Sequence, residues 1–139
     1  MKKILVGLLV LGSLAVFAAE NPEQECIAGL SSSKYHNDLN DVGILNFCLK
    51  INKARSLYVT SLAQSKYDLN IQAVLNNSQD ITLANAICTS SFVKSKYDLN
   101  IQGILSYCED VSLKQANCLS SLVGLKENLN VQGIMSLCE

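Results

Sequence analysis

An eight-residue segment, Ser65-Lys66-Tyr67-Asp68-Leu69-Asn70-Ile71-Gln72, recurs unchanged at positions 95–102. Around it, the dipeptide Leu-Asn falls at 39–40, 69–70, 99–100 and 129–130, a period of 30 residues. Self-similarity at such a period is the mark of a repeat array, in which no unit buries its apolar face alone and each needs its neighbours. The repeats cover approximately residues 21–51, 52–81, 82–111 and 112–139, with no linker between them. Residues 19–139 therefore read as a single helical-repeat domain.

Each repeat reads as two helices. Asn21-Pro22, Asn52, Thr82 and Ser112 stand where a first helix would start, and Ser112 with Gln115 has the form of a capping box. That helix is expected to run about 15 residues, to the Lys-Tyr pair. Asn40, Asn70, Asn100 and Asn130 are suitable N-caps for a second helix of about ten residues. The Leu before each Asn and the Ile or Val four residues after it form a hydrophobic staple in every repeat. A helix of this length is marginal in water, so it must fold back on its partner. The expected fold is all-α: an α/α solenoid of four helical hairpins. It is similar in kind to tetratricopeptide and Sel1-like helix-pair arrays, although the period is shorter and their Trp, Gly-Tyr and Ala patterns are missing. That general likeness assigns no functional residue.

The six cysteines all occupy two slots of the repeat, one per helix: Cys26 and Cys48, Cys88 and Cys108, Cys118 and Cys138. The second repeat has Tyr58 and Ser78 there instead. Joint loss of both slots in one repeat is what a bond within each repeat would produce. Pairing between repeats would set Cys48 against Tyr58 and leave four thiols unpaired. Geometry agrees: Cys88 lies ten residues before Asp98 and Cys108 eight after Asn100. At about 1.5 Å per residue, both stand roughly 12–15 Å from the turn. The expected disulfides are Cys26–Cys48, Cys88–Cys108 and Cys118–Cys138. Cys-x-x-Cys spacing, which zinc or redox chemistry would favour, is missing.

At the N-terminus, Lys2 and Lys3 precede an apolar run from Ile4 to Phe17, followed by Ala18, Ala19 and a polar stretch. This is the layout of a secretory signal peptide over residues 1–18, and its core is short of the about 20 residues a spanning helix needs. Its removal takes two lysines from the chain's 11 basic and 12 acidic residues, leaving nine against 12, a formal charge of −3. No excess of basic residues suggests nucleic-acid binding. The expected setting is secreted or periplasmic, in a bacterium, with no stable membrane anchor after cleavage.

Catalytic residues are not evident. His36, the only histidine, sits in the turn of the first repeat near Asp38 and Asp41, with nothing to organise as a nucleophile. No phosphate loop, nucleophile elbow or calcium loop is present. The chain is not expected to be an enzyme or to hold a metal or cofactor. Two kinds of position are candidates for binding a protein or peptide. One is the Lys-Tyr ladder: Lys34, Tyr35, Lys66, Tyr67, Lys96 and Tyr97. Its structural explanation is a lysine at a helix C-terminus and a tyrosine covering the turn. The other comprises positions that vary between repeats: Arg55, Gln64, Asn85, Lys94 and Gln115 on first helices, and Phe47, Asn77, Tyr107 and Leu137 on second helices. The expected function is a small exported interaction module, with carriage of an apolar ligand or lipid between hairpins as the alternative. A weak homodimer through the C-terminal helix is also expected, because no helix follows it to cover Ile134, Met135 and Leu137.

Overall fold

The computed structural model describes residues 21–125 and 129–139. The segment 1–18, expected above to be a signal peptide, and Lys126-Glu127 lie outside these residues. Among the described residues the chain is all-helical: α1 (Pro22–Ser31), α2 (His36–Leu39), α3 (Asp41–Cys48), α4 (Lys53–Ala63), α5 (Ile71–Asn77), α6 (Leu83–Val93), α7 (Ile101–Cys108), α8 (Leu113–Val123) and α9 (Val131–Leu137). None of these helices is long and apolar enough to cross a membrane.

The starts of the helices follow the local chemistry of the sequence. Asn21, Asn52, Thr82 and Ser112 cap α1, α4, α6 and α8, each side chain accepting a backbone N–H of the first turn. Reciprocal capping boxes join Thr82 to Asn85 and Ser112 to Gln115. Asn40, Asn70, Asn100 and Asn130 do the same for α3, α5, α7 and α9.

The ends differ from expectation. The longer helices span 10 or 11 residues rather than 15, and their partners seven or eight rather than ten. Each stop is a tight backbone turn, Leu125 to Leu122 after α8 included, and a serine reinforces it in the other three repeats. Ser33, Ser65 and Ser95 each donate their hydroxyl to the carbonyl three residues back, at 2.7 Å. Their own N–H groups bond to the same carbonyls of Leu30, Leu62 and Phe92. Side chain and backbone thus close a tight three-residue turn that competes with further α-helix. In the first repeat, the added His36 and Asn37 help form α2, and Asn40 takes a positive φ of 50° to start α3.

The four longer helices pack in chain order, α1 on α4, α4 on α6, α6 on α8. Each shorter helix packs on the one before it: α3 on α1, α5 on α4, α7 on α6, α9 on α8. Small side chains bring the long helices close together. Gly29 lies against Thr60, where an added Cβ would stand 2.5 Å from the Thr60 methyl. The Ser61 and Ser90 hydroxyls bond at 2.8 Å in the interior between α4 and α6. Leu30, Val59, Leu62, Phe92, Ile104, Leu119 and Ile134 form the core. Three disulfides staple short helix to long: Cys26–Cys48, Cys88–Cys108 and Cys118–Cys138, each with a Cα–Cα separation of 5.6 Å. These intrachain bonds suit an oxidising environment.

Candidate functional site

The Lys-Tyr pairs link consecutive turns. Tyr67 and Tyr97 donate their hydroxyls to the carbonyls of Leu99 and Leu129, both at 2.7 Å. The Tyr35 hydroxyl accepts the Leu69 N–H, also at 2.7 Å. Each tyrosine of the three Lys-Tyr pairs therefore reaches 32 to 34 residues along the chain, into the next turn. The lysines take part too. Lys34 donates to the Tyr67 carbonyl at 2.6 Å and Lys66 pairs with Asp98 at 3.3 Å. Lys34, Lys66 and Lys96 each hold their ammonium within 5.8 Å of the centre of the adjacent tyrosine ring. Asp98 was not recognisable as a lysine partner from sequence, because the contact spans a whole repeat.

Several variable positions act inside the molecule. Arg55 donates to the Ser78 hydroxyl at 2.8 Å and to the Leu75 carbonyl at 3.4 Å, with its guanidinium 4.5 Å from the Phe47 ring centre. Asn85 donates to the carbonyls of Cys108 and Glu109 at 2.6 and 2.7 Å. Gln64 reaches the Ser32 hydroxyl, and Tyr107 meets Phe92 edge-on. Asn77, Lys94 and Leu137 stay exposed. His36 sits with its Nε2 2.8 Å from the Asp41 carboxylate, both at the surface.

The second repeat, where the disulfide is replaced, borders a cavity of about 430 Å³. It opens between the loop joining α5 to α6 and the C-terminal end of α7. Tyr58 and Thr89 form its floor and are 7% and 1% exposed. Neither hydroxyl has a hydrogen-bond partner among the described residues, and no fully enclosed polar side-chain atom there lacks one. Both hydroxyls therefore open onto the cavity. Burial pushes the Tyr58 phenol above its ordinary value of 10.0, so it stays a neutral donor and acceptor in physiological solution. Asn77, Asp80 and Glu109 form the rim, while Ile81 and Leu105 supply apolar wall. The volume falls within the range of small-ligand sites. The sequence marks Tyr58 by its place in a vacated cysteine slot; it gives no sign of Thr89, one of several polar residues of α6.

Among the described residues no group of three or more His, Cys, Asp or Glu side chains is placed to hold a metal ion. The fold and site define a disulfide-stapled all-helical protein with a polar-floored cavity beside its one unstapled helix pair. No protein-family model, curated protein or solved structure matches the chain.

Proposed function

We propose that the protein is a small exported interaction module without catalytic activity, built as a four-hairpin α/α solenoid over residues 19–139. The cavity beside Tyr58 receives part of a protein or peptide partner. One observation carries this reading: Tyr58 and Thr89, two largely buried residues, border a cavity with hydroxyls that have no partner among the described residues. Polar groups at the base of a cavity favour a ligand that can hydrogen-bond to them. The helix packing, long helices in file with one short helix on each, supports the solenoid. The cavity's polar floor and rim favour this function over carriage of a lipid.

Peptides displayed as a random library and selected on the oxidised protein test the reading. Selected peptides should lose binding to Asn77→Trp, which fills the cavity from an exposed rim position and spares the core. Retained binding would place the partner elsewhere. A lipid that co-purifies, with no peptide enriched, would favour the carrier. Native mass spectrometry of the protein from its own host, without reductant, tests export. It should give the mass of residues 19–139 less six hydrogens.

A further inference from the structure

We infer that the cavity between the α5–α6 loop and the end of α7 takes a primary ammonium on a short alkyl stem, as carried by a lysine side chain or a free alkylamine. This rests on the cavity being the binding site proposed above and names the chemistry it selects.

Charge comes first. Asp80 and Glu109 are both on the rim, and no lysine or arginine lines the cavity among the described residues. The nearest guanidinium along α4, that of Arg55, is engaged by Ser78, the Leu75 carbonyl and the Phe47 ring. A helix N-terminus would work against a cation, and α6 begins at this site. Its capping box answers that: the Thr82 N–H is donated to Asn85 Oδ1 at 3.0 Å and the Asn85 N–H to the Thr82 hydroxyl at 3.2 Å. The carbonyls at the end of α7, those of Cys108 and Glu109, likewise already accept from Asn85, so the charge preference rests on the two carboxylates.

Hydrogen bonding points to the same group. An ammonium carries three donors and no acceptor. The Tyr58 and Thr89 hydroxyls can accept at depth, and the carboxylates at the rim. An anion would meet two like charges, and a purely apolar tail would cover both hydroxyls without offering them a partner. Ile81 and Leu105 provide the surface along which an alkyl stem would lie.

The test is amide chemical-shift mapping of the oxidised protein with four probes: N-acetyl-lysine methylamide, its neutral norleucine isostere, cadaverine and a methyl glycoside. The lysine compound or cadaverine should produce saturable shifts at Thr82, Asn85, Thr89 and Leu105 that the norleucine compound does not. Asp80→Asn combined with Glu109→Gln should weaken that response roughly tenfold or more. Both substituted residues are exposed, so the fold is left intact. A stronger response to lysine identifies a peptide source and a stronger one to cadaverine a free amine. Equal shifts from norleucine, a response only to the glycoside, or none at all would overturn the inference. A library-selected peptide that binds the cavity but tolerates norleucine for lysine would overturn the ammonium and leave the interaction module standing. Cadaverine bound at the cavity with no peptide ever selected would do the reverse.

Discussion

The hydroxyl that Tyr67 donates to the Leu99 carbonyl ties one turn to the next through a single half-buried bond. Tyr67→Phe removes it while keeping the ring, so stability should fall by about 0.5–1.5 kcal/mol in urea unfolding. Two glycines should respond in opposite directions to the same substitution. Gly29→Ala drives a methyl to within 2.5 Å of the Thr60 side chain, at the contact of α1 with α4. Overpacking of this kind costs about 1–3 kcal/mol. Gly103 has nothing within 4 Å of an added Cβ and lies inside α7. Gly103→Ala should therefore stabilise by about 0.5–1 kcal/mol, through the lower entropy of the unfolded chain. Tyr58 makes a prediction in pH. Burial raises its folded-state pKa above 10.0, so the unfolded chain gives up the proton first as pH climbs. The stabilising contribution is whole below pH 10 and is lost as pH rises through the folded-state value. Unfolding measured on either side of that pH should show a steeper alkaline loss for the wild type than for Tyr58→Phe. An identical slope would mean the phenol is not protected.

At the scale of helices, what could be read from sequence divides by distance along the chain. The N-caps were legible because a cap depends on a side chain and an amide two or three residues ahead: Asn70 and Ala73, Ser112 and Gln115. The disulfides were legible because paired slots appear and vanish together, and the chain does pair Cys26 with Cys48, Cys88 with Cys108 and Cys118 with Cys138. The helix ends were not. Ser65 reads as an ordinary polar residue until its hydroxyl is seen taking the Leu62 carbonyl. Nor could sequence place Thr89 beside Tyr58, since that juxtaposition depends on how α4 and α6 pack. The staples themselves are unequal. Cys26 and Cys88 are wholly buried, whereas Cys118 on α8 is only partly buried. Limiting reductant followed by alkylation should open Cys118–Cys138 first. Full reduction removes three bonds, each worth about 3 kcal/mol in the chain-entropy account. Against a total stability of about 5–15 kcal/mol for a small domain, most of the helical circular dichroism should be lost. Helix content unchanged in full reductant would show that packing alone holds the short helices.

For the whole molecule, the two ends of the helix file pose the same problem. Among the described residues, a helix inside the file is covered on both sides, while α1 and α8 are each covered by one long neighbour. On α8 the effect is visible at Leu122, half-buried where Leu62 and Phe92 are fully enclosed. Leu137 on α9 is 65% exposed, in the register where Phe47 lies under Arg55 of the following repeat. At the other end, Val42, Leu45 and Leu49 share one exposed face of α3 and its C-terminal edge. Their counterparts one repeat on are Gln72, Leu75 and Gln79, of which only Leu75 is enclosed. A surface shaped to cover such a helix is one resembling an inner helix of the file, which a second copy of the chain supplies. We propose weak self-association through the C-terminal helix on that ground, with Leu137 at its centre. Sedimentation velocity over a range of concentrations should show a reversible dimer that Leu137→Glu abolishes. Asn77→Glu, in the same register inside the file, should leave it unchanged. If the second substitution disrupts the dimer and the first does not, the contact lies on the side of the stack rather than at its end. A concentration-independent monomer would mean that the last pair's own packing, with its disulfide, is cover enough for the end of the stack.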